Sequence, residues 1–299
     1  MKKVVVTGSN GLLGQTLVSL LLKEKSKYSV IGFSRGENRS GRGDFEYVSV
    51  DITDKTLLEE KLKKYNPDVI VNTAAMTNVD ACENDKEGCD LLNVAVVAYL
   101  KEFSQTHKTH LIHLSTDFIF DGEKGIYKET DAPNPLSYYG KSKLKSENFL
   151  VNSDVDYTIL RTILVYGKVF DMTRNNIVLW VKKSLEEGKE ITIVNDQYRM
   201  PTYVNNLALA CKLAIDKKAK GIFNISSNQL LSIYEIALQI ADVFKLDKTL
   251  IKPISTATLN QTAKRPPKTG FDLTKTTNEL NFFPKSFKED LQEFKEKLM

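Results

Sequence analysis

The stretch VVVTGSNGLLG, residues 4–14, determines how the rest of the chain is interpreted. Its β-branched start is typical of a buried strand, and apolar residues at helical spacing begin at Leu12. Gly8 suits a tight turn, Gly11 lets the backbone approach a bound group, and Gly14 lets the helix pack against the sheet. Because a helix N-terminus offers free N–H groups and a positive dipole end, the turn is predicted to bind a pyrophosphate.

A glycine triplet spaced GxxGxxG is by itself weak evidence for a pyrophosphate site. Its position between a strand and a helix of a βαβ pattern strengthens this prediction. Short apolar runs alternate with helical patterns through the first half of the chain, which predicts a parallel sheet covered on both faces. The fold class is therefore α/β, with a Rossmann-type doubly wound sheet. The predicted strands are residues 3–7, 30–34, 47–50, 69–71, 110–115 and 157–160, and the predicted helices are residues 12–22, 55–65, 85–105 and 137–152.

The alternation of apolar strands and helical patterns becomes less regular after about Gly167, which predicts a smaller C-terminal α/β lobe for the substrate. We expect a dinucleotide-binding domain at residues 1–166 and the smaller lobe at residues 167–299, with crossovers of the chain back to the first domain possible. Helices are predicted near residues 176–187, 204–216, 233–244 and 287–298, separated by short apolar pieces at 191–194 and 222–225.

Composition excludes several classes of protein. The 299 residues carry a net charge of only +4, with lysines scattered among acids, so nucleic-acid binding is not expected. No signal peptide or apolar run long enough to span a membrane is visible. The three unpatterned cysteines, Cys82, Cys89 and Cys211, indicate a reducing, cytoplasmic location. No metal cluster is predicted, because His110 and His113 in one strand point to opposite faces, and a structural role is expected for the histidines.

The end of the second strand indicates which dinucleotide is bound. The acidic residue that would hold a ribose 2′-hydroxyl is missing there, and the strand ends in Ser34 and Arg35. A hydroxyl and a guanidinium suit a 2′-phosphate, so NADP(H) is preferred and NAD(H) remains possible. The alternative is a solvent-facing arginine in a basic loop. The remaining predicted cofactor contacts are Asn10, Leu12 and Leu13 in the glycine loop and Asp51 and Ile52 after the third strand.

A phenol and an ammonium lie four residues apart at Tyr139 and Lys143, on one face of a predicted helix. Reduction of a ketone needs an acid for the carbonyl oxygen, and a nearby cation would lower the pKa of the phenol toward working pH. Tyr138 is the rival phenol, but its neighbour four residues on is a serine. The fifth strand brings Ser115 and Thr116 to the same sheet edge, where either hydroxyl would hydrogen bond to the carbonyl oxygen.

With these motifs, the chain resembles the extended short-chain dehydrogenase/reductase superfamily and, within it, the dTDP-4-dehydrorhamnose reductase family. The resemblance covers nearly the whole length. Its blocks are VNTAAMTNVD at residues 71–80, LSTDFIFDG at 114–122, YKE at 127–129, PLSYYGKSKL at 135–144, RT at 161–162, VYG at 165–167, PT at 201–202 and RP at 265–266.

The resemblance implies reduction of the 4-keto group of a nucleotide-linked deoxysugar with NADPH or NADH. It implies that Thr116, Tyr139 and Lys143 form the catalytic triad. Some members of the family form dimers with a bound magnesium ion, so a homodimer is possible here. The residues implied to line the cofactor are Ala74, Ala75, Thr77 and Asn93, and those implied to border the substrate are Thr77, Val79, Asp117 and Phe118.

Two positions depart from the family pattern. Leu164 replaces a tryptophan that faces the sugar, and Arg199 replaces a glycine, adding a cation that would meet a diphosphate or a carboxylate unless it is an exposed loop residue. Both changes resemble the regulatory β subunit of methionine adenosyltransferase, which binds NADP and acts through a partner. A regulatory subunit without turnover is therefore the alternative function. A dehydratase or epimerase fits less well, because those enzymes usually carry an acidic residue at the end of the second strand.

Overall fold

The computed structural model describes residues 1–172, 175–259 and 261–298. Within them, seven parallel strands form the central sheet, in the order β3-β2-β1-β4-β5-β7-β12. The predicted doubly wound α/β fold is thus confirmed. The strands are β1 Lys2–Thr7, β2 Tyr28–Ser34, β3 Glu46–Ser49, β4 Val69–Asn72, β5 His110–Thr116, β6 Gly125–Tyr127, β7 Tyr157–Thr162, β8 Val165–Tyr166, β9 Ile191–Val194, β10 Tyr198–Arg199, β11 Thr202–Tyr203, β12 Gly221–Ile225, β13 Leu231–Ser232, β14 Ile251–Ile254 and β15 Lys268–Phe271.

Helices cover both faces of this sheet. One face packs against α1 and α8, where Val18 and Ala214 are fully buried, and the other packs against α2, α5 and α6, where Leu62 and Leu100 are buried. Burial of one such leucine contributes about 1.5–3 kcal/mol, so the two layers hold the sheet rigid. The helices are α1 Leu12–Leu21, α2 Lys55–Tyr65, α3 Val79–Asn84, α4 Lys86–Asp90, α5 Val96–His107, α6 Tyr138–Val151, α7 Ile177–Glu186, α8 Val204–Lys217, α9 Ile233–Phe244 and α10 Phe287–Leu298.

The chain crosses back to the central sheet after the predicted boundary at residues 166 and 167. Helix α8 packs on α1, and β12 pairs in parallel with β7 at the edge of the sheet. The short apolar piece at residues 222–225 lies after the predicted boundary, and it forms one of the crossovers back to the first domain that the sequence left open. A fully buried strand and a lobe strand have the same apolar signature, so the pattern does not say which sheet a strand joins.

The smaller lobe is built on a second core around Tyr166. Helices α7, α9 and α10 enclose this core together with β9 and β14, which pair in parallel. A mixed sheet in the order β13-β10-β15-β6 connects the lobe to the loop that follows β5. Segments far apart in sequence therefore meet directly beside the C-terminal edge of the central sheet. No helix in the described part of the chain has the length and apolar character needed to cross a membrane.

Candidate active site

The glycine loop joins β1 to α1 in the conformation that its sequence predicts. Gly8 has a φ of +67°, a left-handed value that side chains rarely adopt, and its carbonyl accepts a hydrogen bond of 2.8 Å from the Gly11 N–H. A Cβ on Gly14 would lie 2.7 Å from Ser9 Cα, so the close packing of helix on loop requires glycine there. Helix α1 has no side-chain cap and no acidic residue in its first turn. Its N-terminus keeps its positive end available for an anion.

The loop after β2 is fastened to the glycine loop by Asn10. The Asn10 amide donates to the Glu37 carbonyl over 2.9 Å and to the Tyr47 hydroxyl over 3.0 Å. Next to this anchor, the Arg35 side chain is 76% exposed, and its guanidinium lies 3.8 Å from the Asp51 carboxylate. Hydrogen bonds from Thr53 lower the pKa of Asp51, which is therefore charged. Arg35 thus projects over the end of β2 with one weak partner.

Other predicted cofactor residues have different surroundings. Leu12 and Leu13 are half-buried in the cores that meet under α1, and Ile52 is buried beside α2. Any contact with a ligand from these three positions would therefore come mainly from the backbone. The Ser34 side chain is half-buried at the end of β2.

The segment after β4 runs past Gly8. Ala74 is half-buried there, and a Cβ on Gly8 would lie 2.9 Å from its backbone nitrogen. Ala75 is also half-buried, and Thr77 lies on the exposed part of the same loop. Because β1 and β4 flank the point where the strand order reverses, this crevice is the usual ligand position in doubly wound sheets.

Asn93 connects this segment to the catalytic helix. Its amide accepts from the Met76 N–H over 2.8 Å, donates to the Met76 carbonyl over 3.0 Å and donates to the Ser142 hydroxyl over 3.1 Å. It lies in a π-helical turn, Leu91–Ala95, that interrupts the predicted helix 85–105. Because its amide oxygen and nitrogen both form hydrogen bonds with protein groups, Asn93 stabilises the side of the crevice.

Helix α6 carries both Tyr139 and Lys143 into the interior. The Ser137 hydroxyl caps its N-terminus by accepting from the Gly140 N–H over 3.2 Å. A Cβ at residue 140 would overlap the Phe118 carbonyl, so glycine lets the helix rest on the segment after β5. Only 8% of the Tyr139 surface and 2% of the Lys143 surface remain exposed.

Tyr139 lies between the residues that follow β5 and helix α3. Its ring meets the Phe118 ring edge-on at 5.8 Å between centroids, and Val79 packs against the same cluster. Its phenol lies beside the Thr116 hydroxyl. Thr116, Val79 and Phe118 therefore lie around Tyr139, and their roles toward a substrate stay predictions. Ser115 instead directs a buried hydroxyl that has no hydrogen-bond partner away from this group.

The predicted effect of Lys143 on Tyr139 is absent. Burial raises the pKa of the Tyr139 phenol, the neighbouring Thr116 hydroxyl opposes this rise, and the charge of Asp117 adds to it. Lys143 does not lower this pKa, because its ammonium turns to His113, with 3.0 Å between Nζ and Nε2. Tyr139 consequently stays protonated at neutral pH, which is the state needed in a proton donor.

His113 is a site residue that sequence reasoning assigned to structure alone. Burial and the charge of Lys143 lower the pKa of His113 well below its usual value, so the imidazole is neutral. Burial also lowers the pKa of Lys143 to about 8, with Glu147 opposing the shift. The one available signal was a polar residue in a core strand directly beneath the predicted catalytic helix.

Replacement of His113 by leucine is expected to increase the neutral fraction of Lys143 about tenfold at a given pH, because the buried ammonium loses its acceptor. NMR titration of carbon-labelled lysine, assigned with a Lys143→Met variant, measures this change. The control is His110→Leu on the same strand, since His110 Nε2 contacts Thr158 Oγ1 at 2.8 Å and lies away from Lys143. Identical Lys143 titrations in both variants would contradict the assigned contact.

A salt bridge closes the site from the C-terminal loop. Arg265 donates to both carboxylate oxygens of Asp80, at 3.2 Å and 2.5 Å, and to the Ala263 carbonyl at 3.0 Å. Asp80 lies in the first turn of α3, two residues after the cap of that helix. The loop of the smaller lobe is thereby attached to the wall that carries Val79. Among the described residues, no group of three or more His, Cys, Asp or Glu side chains is arranged to hold a metal ion.

Comparison with known proteins places this geometry in a family. The family described as RmlD substrate binding domain matches residues 1–299. The chain belongs to this family. It is 31% identical to dTDP-4-dehydrorhamnose reductase of Aggregatibacter actinomycetemcomitans over 98% of both chains, and 30% identical to methionine adenosyltransferase 2 subunit beta of Bos taurus over 85% of this chain and 75% of that protein. The crystal structure of dTDP-4-dehydrorhamnose reductase from Bacillus anthracis in complex with NADP is similar, with 26% identity, 99% coverage of both chains and a TM-score of 0.87.

The structure shows what surrounds the two departures within this member of the RmlD family. Leu164 follows β7 with a φ of +42°, a strained value for a leucine, and its carbonyl accepts from the Thr202 N–H. Arg199 is 4% exposed and donates to the carbonyls of Tyr198 and Pro266, each at 2.7 Å. The alternative of an exposed loop arginine is therefore wrong for Arg199, and a contact between its guanidinium and a substrate stays a prediction.

Proposed function

We propose that the protein is an NADPH-dependent reductase that acts on the 4-keto group of a nucleotide-linked deoxysugar, as in dTDP-4-dehydrorhamnose reductases. One observation carries the proposal. Thr116, Tyr139 and Lys143 are buried together at the edge of the sheet where the glycine loop and the segment after β4 form a crevice. Residues 1–166 with 204–225 would hold the cofactor, and the smaller lobe would hold the sugar nucleotide.

The crevice offers backbone groups that suit a dinucleotide. The left-handed Gly8 and the uncapped start of α1 provide backbone N–H groups for a pyrophosphate, and Ala74 and Ala75 leave room beside them. When bound, NADPH supplies the hydride that goes to the carbonyl carbon. Lys143 would hold the cofactor ribose by its ammonium, which is present below a pKa of about 8.

Residues of the chain then supply the proton that the carbonyl oxygen needs. Tyr139 donates its hydroxyl hydrogen to the carbonyl oxygen as that oxygen gains negative charge, which leaves a phenolate until solvent returns a proton. Thr116, whose hydroxyl donates to Asp117, lies beside the phenol and holds it in position. Phe118 and Val79 exclude water from one side of the site. The charge that develops on the carbonyl oxygen therefore interacts strongly with the Tyr139 phenol.

A panel of keto-sugar nucleotides tests the function. The protein is mixed with NADPH and dTDP-4-keto-6-deoxymannose, and loss of the near-ultraviolet absorbance of NADPH is followed. We expect stoichiometric oxidation of NADPH and a 6-deoxyhexose nucleotide as product. Absence of turnover with every member of the panel, in a protein shown to bind NADPH, would overturn the proposal.

Arg35 is expected to determine the preference for the phosphorylated cofactor. An Arg35→Ala variant should bind NADPH about ten- to a hundredfold more weakly and NADH about equally well, because a charged hydrogen bond to the 2′-phosphate is lost. Fluorescence titration of both nucleotides measures the two dissociation constants. Arg42→Ala is the matched control in the same loop, since Asp44 already pairs with Arg42 through two bonds of 2.9 and 2.7 Å. Equal weakening of NADH binding in the Arg35 variant would contradict this assignment.

The second candidate is a regulatory subunit that binds NADP without turnover. The residues at 164 and 199 and the 30% identity to methionine adenosyltransferase 2 subunit beta favour it. It predicts a copurifying methionine adenosyltransferase and no oxidation of NADPH by any keto sugar. A native pull-down without that partner would count against it.

The cytoplasmic location and the homodimer remain predictions. The absence of a membrane-spanning helix among the described residues is compatible with the first. Cell fractionation and sedimentation of the purified protein test them separately.

A further inference from the structure

Arg199 connects the smaller lobe to the residues beside the phenol. It lies on β10, and besides the carbonyls of Tyr198 and Pro266 it reaches the Pro267 carbonyl at 3.4 Å. Its Nε lies 3.5 Å from an Asp117 carboxylate oxygen, and its guanidinium carbon lies 5.7 Å from the centre of the Phe118 ring. The side chain is thus fixed by backbone groups of its own lobe and faces the two residues that follow Thr116.

Asp117 is a buried carboxylate, and only a few neighbouring groups among the described residues stabilise its charge. It is 2% exposed, and the groups that face it are Arg199 from β10, Thr269 from β15, Thr116 from β5 and Tyr139 from α6. The Thr269 hydroxyl donates at 2.5 Å and the Thr116 hydroxyl at 3.1 Å. Burial raises the pKa of Asp117, and the charge of Arg199 is the largest opposing effect. Arg199 is therefore the counter-ion of this carboxylate.

The charge on Asp117 sets the direction of the Thr116 hydrogen bond. A carboxylate only accepts, so the Thr116 hydroxyl donates to it, while the Phe118 N–H donates to Thr116 Oγ1 at 3.2 Å. A protonated Asp117 would itself donate, and the Thr116 hydroxyl would then rotate. The same hydroxyl lies beside the Tyr139 phenol, so the rotation changes the surroundings of the proposed proton donor.

We propose that Arg199 is a positioning residue, which keeps Asp117 as a carboxylate and through it fixes the Thr116 hydroxyl against Tyr139. The inference rests on the proposed reductase function, because that function gives Thr116 and Tyr139 their roles. It also assigns a use to the residue that departs from the family pattern. The smaller lobe thereby contributes a charge to the catalytic centre without touching the reacting atoms.

Activity and its pH profile give the first arm of the test. In Arg199→Met, we expect kcat to fall about ten- to a hundredfold near neutral pH with little change in the KM for NADPH, and to recover as the pH rises and Asp117 ionises again. Arg199→Lys should retain most of the activity because it keeps the charge. The double variant Arg199→Met, Asp117→Asn should lose the added pH dependence. A methionine variant with the kcat and pH profile of the wild type would overturn the inference.

Stability gives the second arm, which does not depend on turnover. Loss of Arg199 raises the folded-state pKa of Asp117 further. When a carboxyl has a higher pKa in the folded state than in the unfolded state, the free energy of unfolding falls as the pH rises from the unfolded-state pKa to the folded-state pKa. The decrease in unfolding free energy caused by Arg199→Met should therefore be larger at about pH 8 than at about pH 5, and Asp117→Asn should abolish this difference. A destabilisation independent of pH would overturn the inference even if the wild type were an active reductase. If the wild type turned over no keto sugar, the proposed function would fail, and this pH difference would still decide whether Arg199 holds the carboxylate.

Discussion

Replacement of Tyr139 by phenylalanine is expected to reduce kcat for a keto-sugar nucleotide about 100- to 10,000-fold, with NADPH binding nearly unchanged. The phenol is the buried acid beside Thr116, and its raised pKa keeps it protonated through the neutral range. Loss of one oxygen atom removes the proton donor while the ring still packs against Phe118. Steady-state rates from NADPH absorbance, together with a fluorescence titration of NADPH, measure the two effects.

The adjacent phenol provides the control for this experiment. Tyr138 is half-buried on the same helix, and the Lys86 ammonium lies 5.4 Å from the centre of its ring. Tyr138→Phe should keep kcat within about twofold, because the ring that packs beside Tyr139 is kept and the lost hydroxyl is not the proposed proton donor. If Tyr139→Phe retained full activity and Tyr138→Phe lost it, the assignment of the proton donor would be wrong.

Replacement of Glu147 by glutamine is expected to lower the free energy of unfolding by about 3–5 kcal/mol, because it leaves the buried Arg161 guanidinium without a counter-ion. The two side chains are 2% and 3% exposed and are joined by bonds of 2.7 and 3.1 Å. The pair fastens α6, which carries Tyr139 and Lys143, to β7. Urea denaturation followed by circular dichroism measures the loss.

Glu186→Gln is the matched control for this loss of a carboxylate. Glu186 pairs with Lys182 at 2.6 Å on the outside of α7, where the two side chains are 47% and 26% exposed. An exposed pair of this kind contributes about 0–1 kcal/mol. Equal destabilisation by the two variants would show that burial does not govern the strength of the Glu147 pair.

Local patterns predicted the fold because six of the seven strands of the central sheet come from the first 166 residues, where each is bounded by its own turn or helix. The glycine loop, the apolar strands and the helix that starts after Ser137 are each visible in a few neighbouring residues. The sheet that β12 joins is not visible in this way, because the apolar pattern of β12 fits either sheet. Only the packing of α8 on α1 decides which one it joins.

Part of the candidate site was predictable for the same reason. The spacing of Tyr139 and Lys143 on one helix face, and the position of Thr116 at the end of β5, follow from helix and strand periodicity. The direction in which Lys143 turns does not, because it depends on His113, thirty residues earlier in another element. The partners of Arg199 come from three separate segments, so its burial was invisible in the sequence.

The return of β12 to the sheet affects how the chain is made as well as how it works. During synthesis, β7 leaves the ribosome with one edge unpaired, and its neighbour emerges only after α7, β9 and α8 have been translated. An unpaired, apolar edge strand is a template for aggregation. The nascent protein therefore depends on a delayed closing step, and the first 166 residues form an incomplete folding unit.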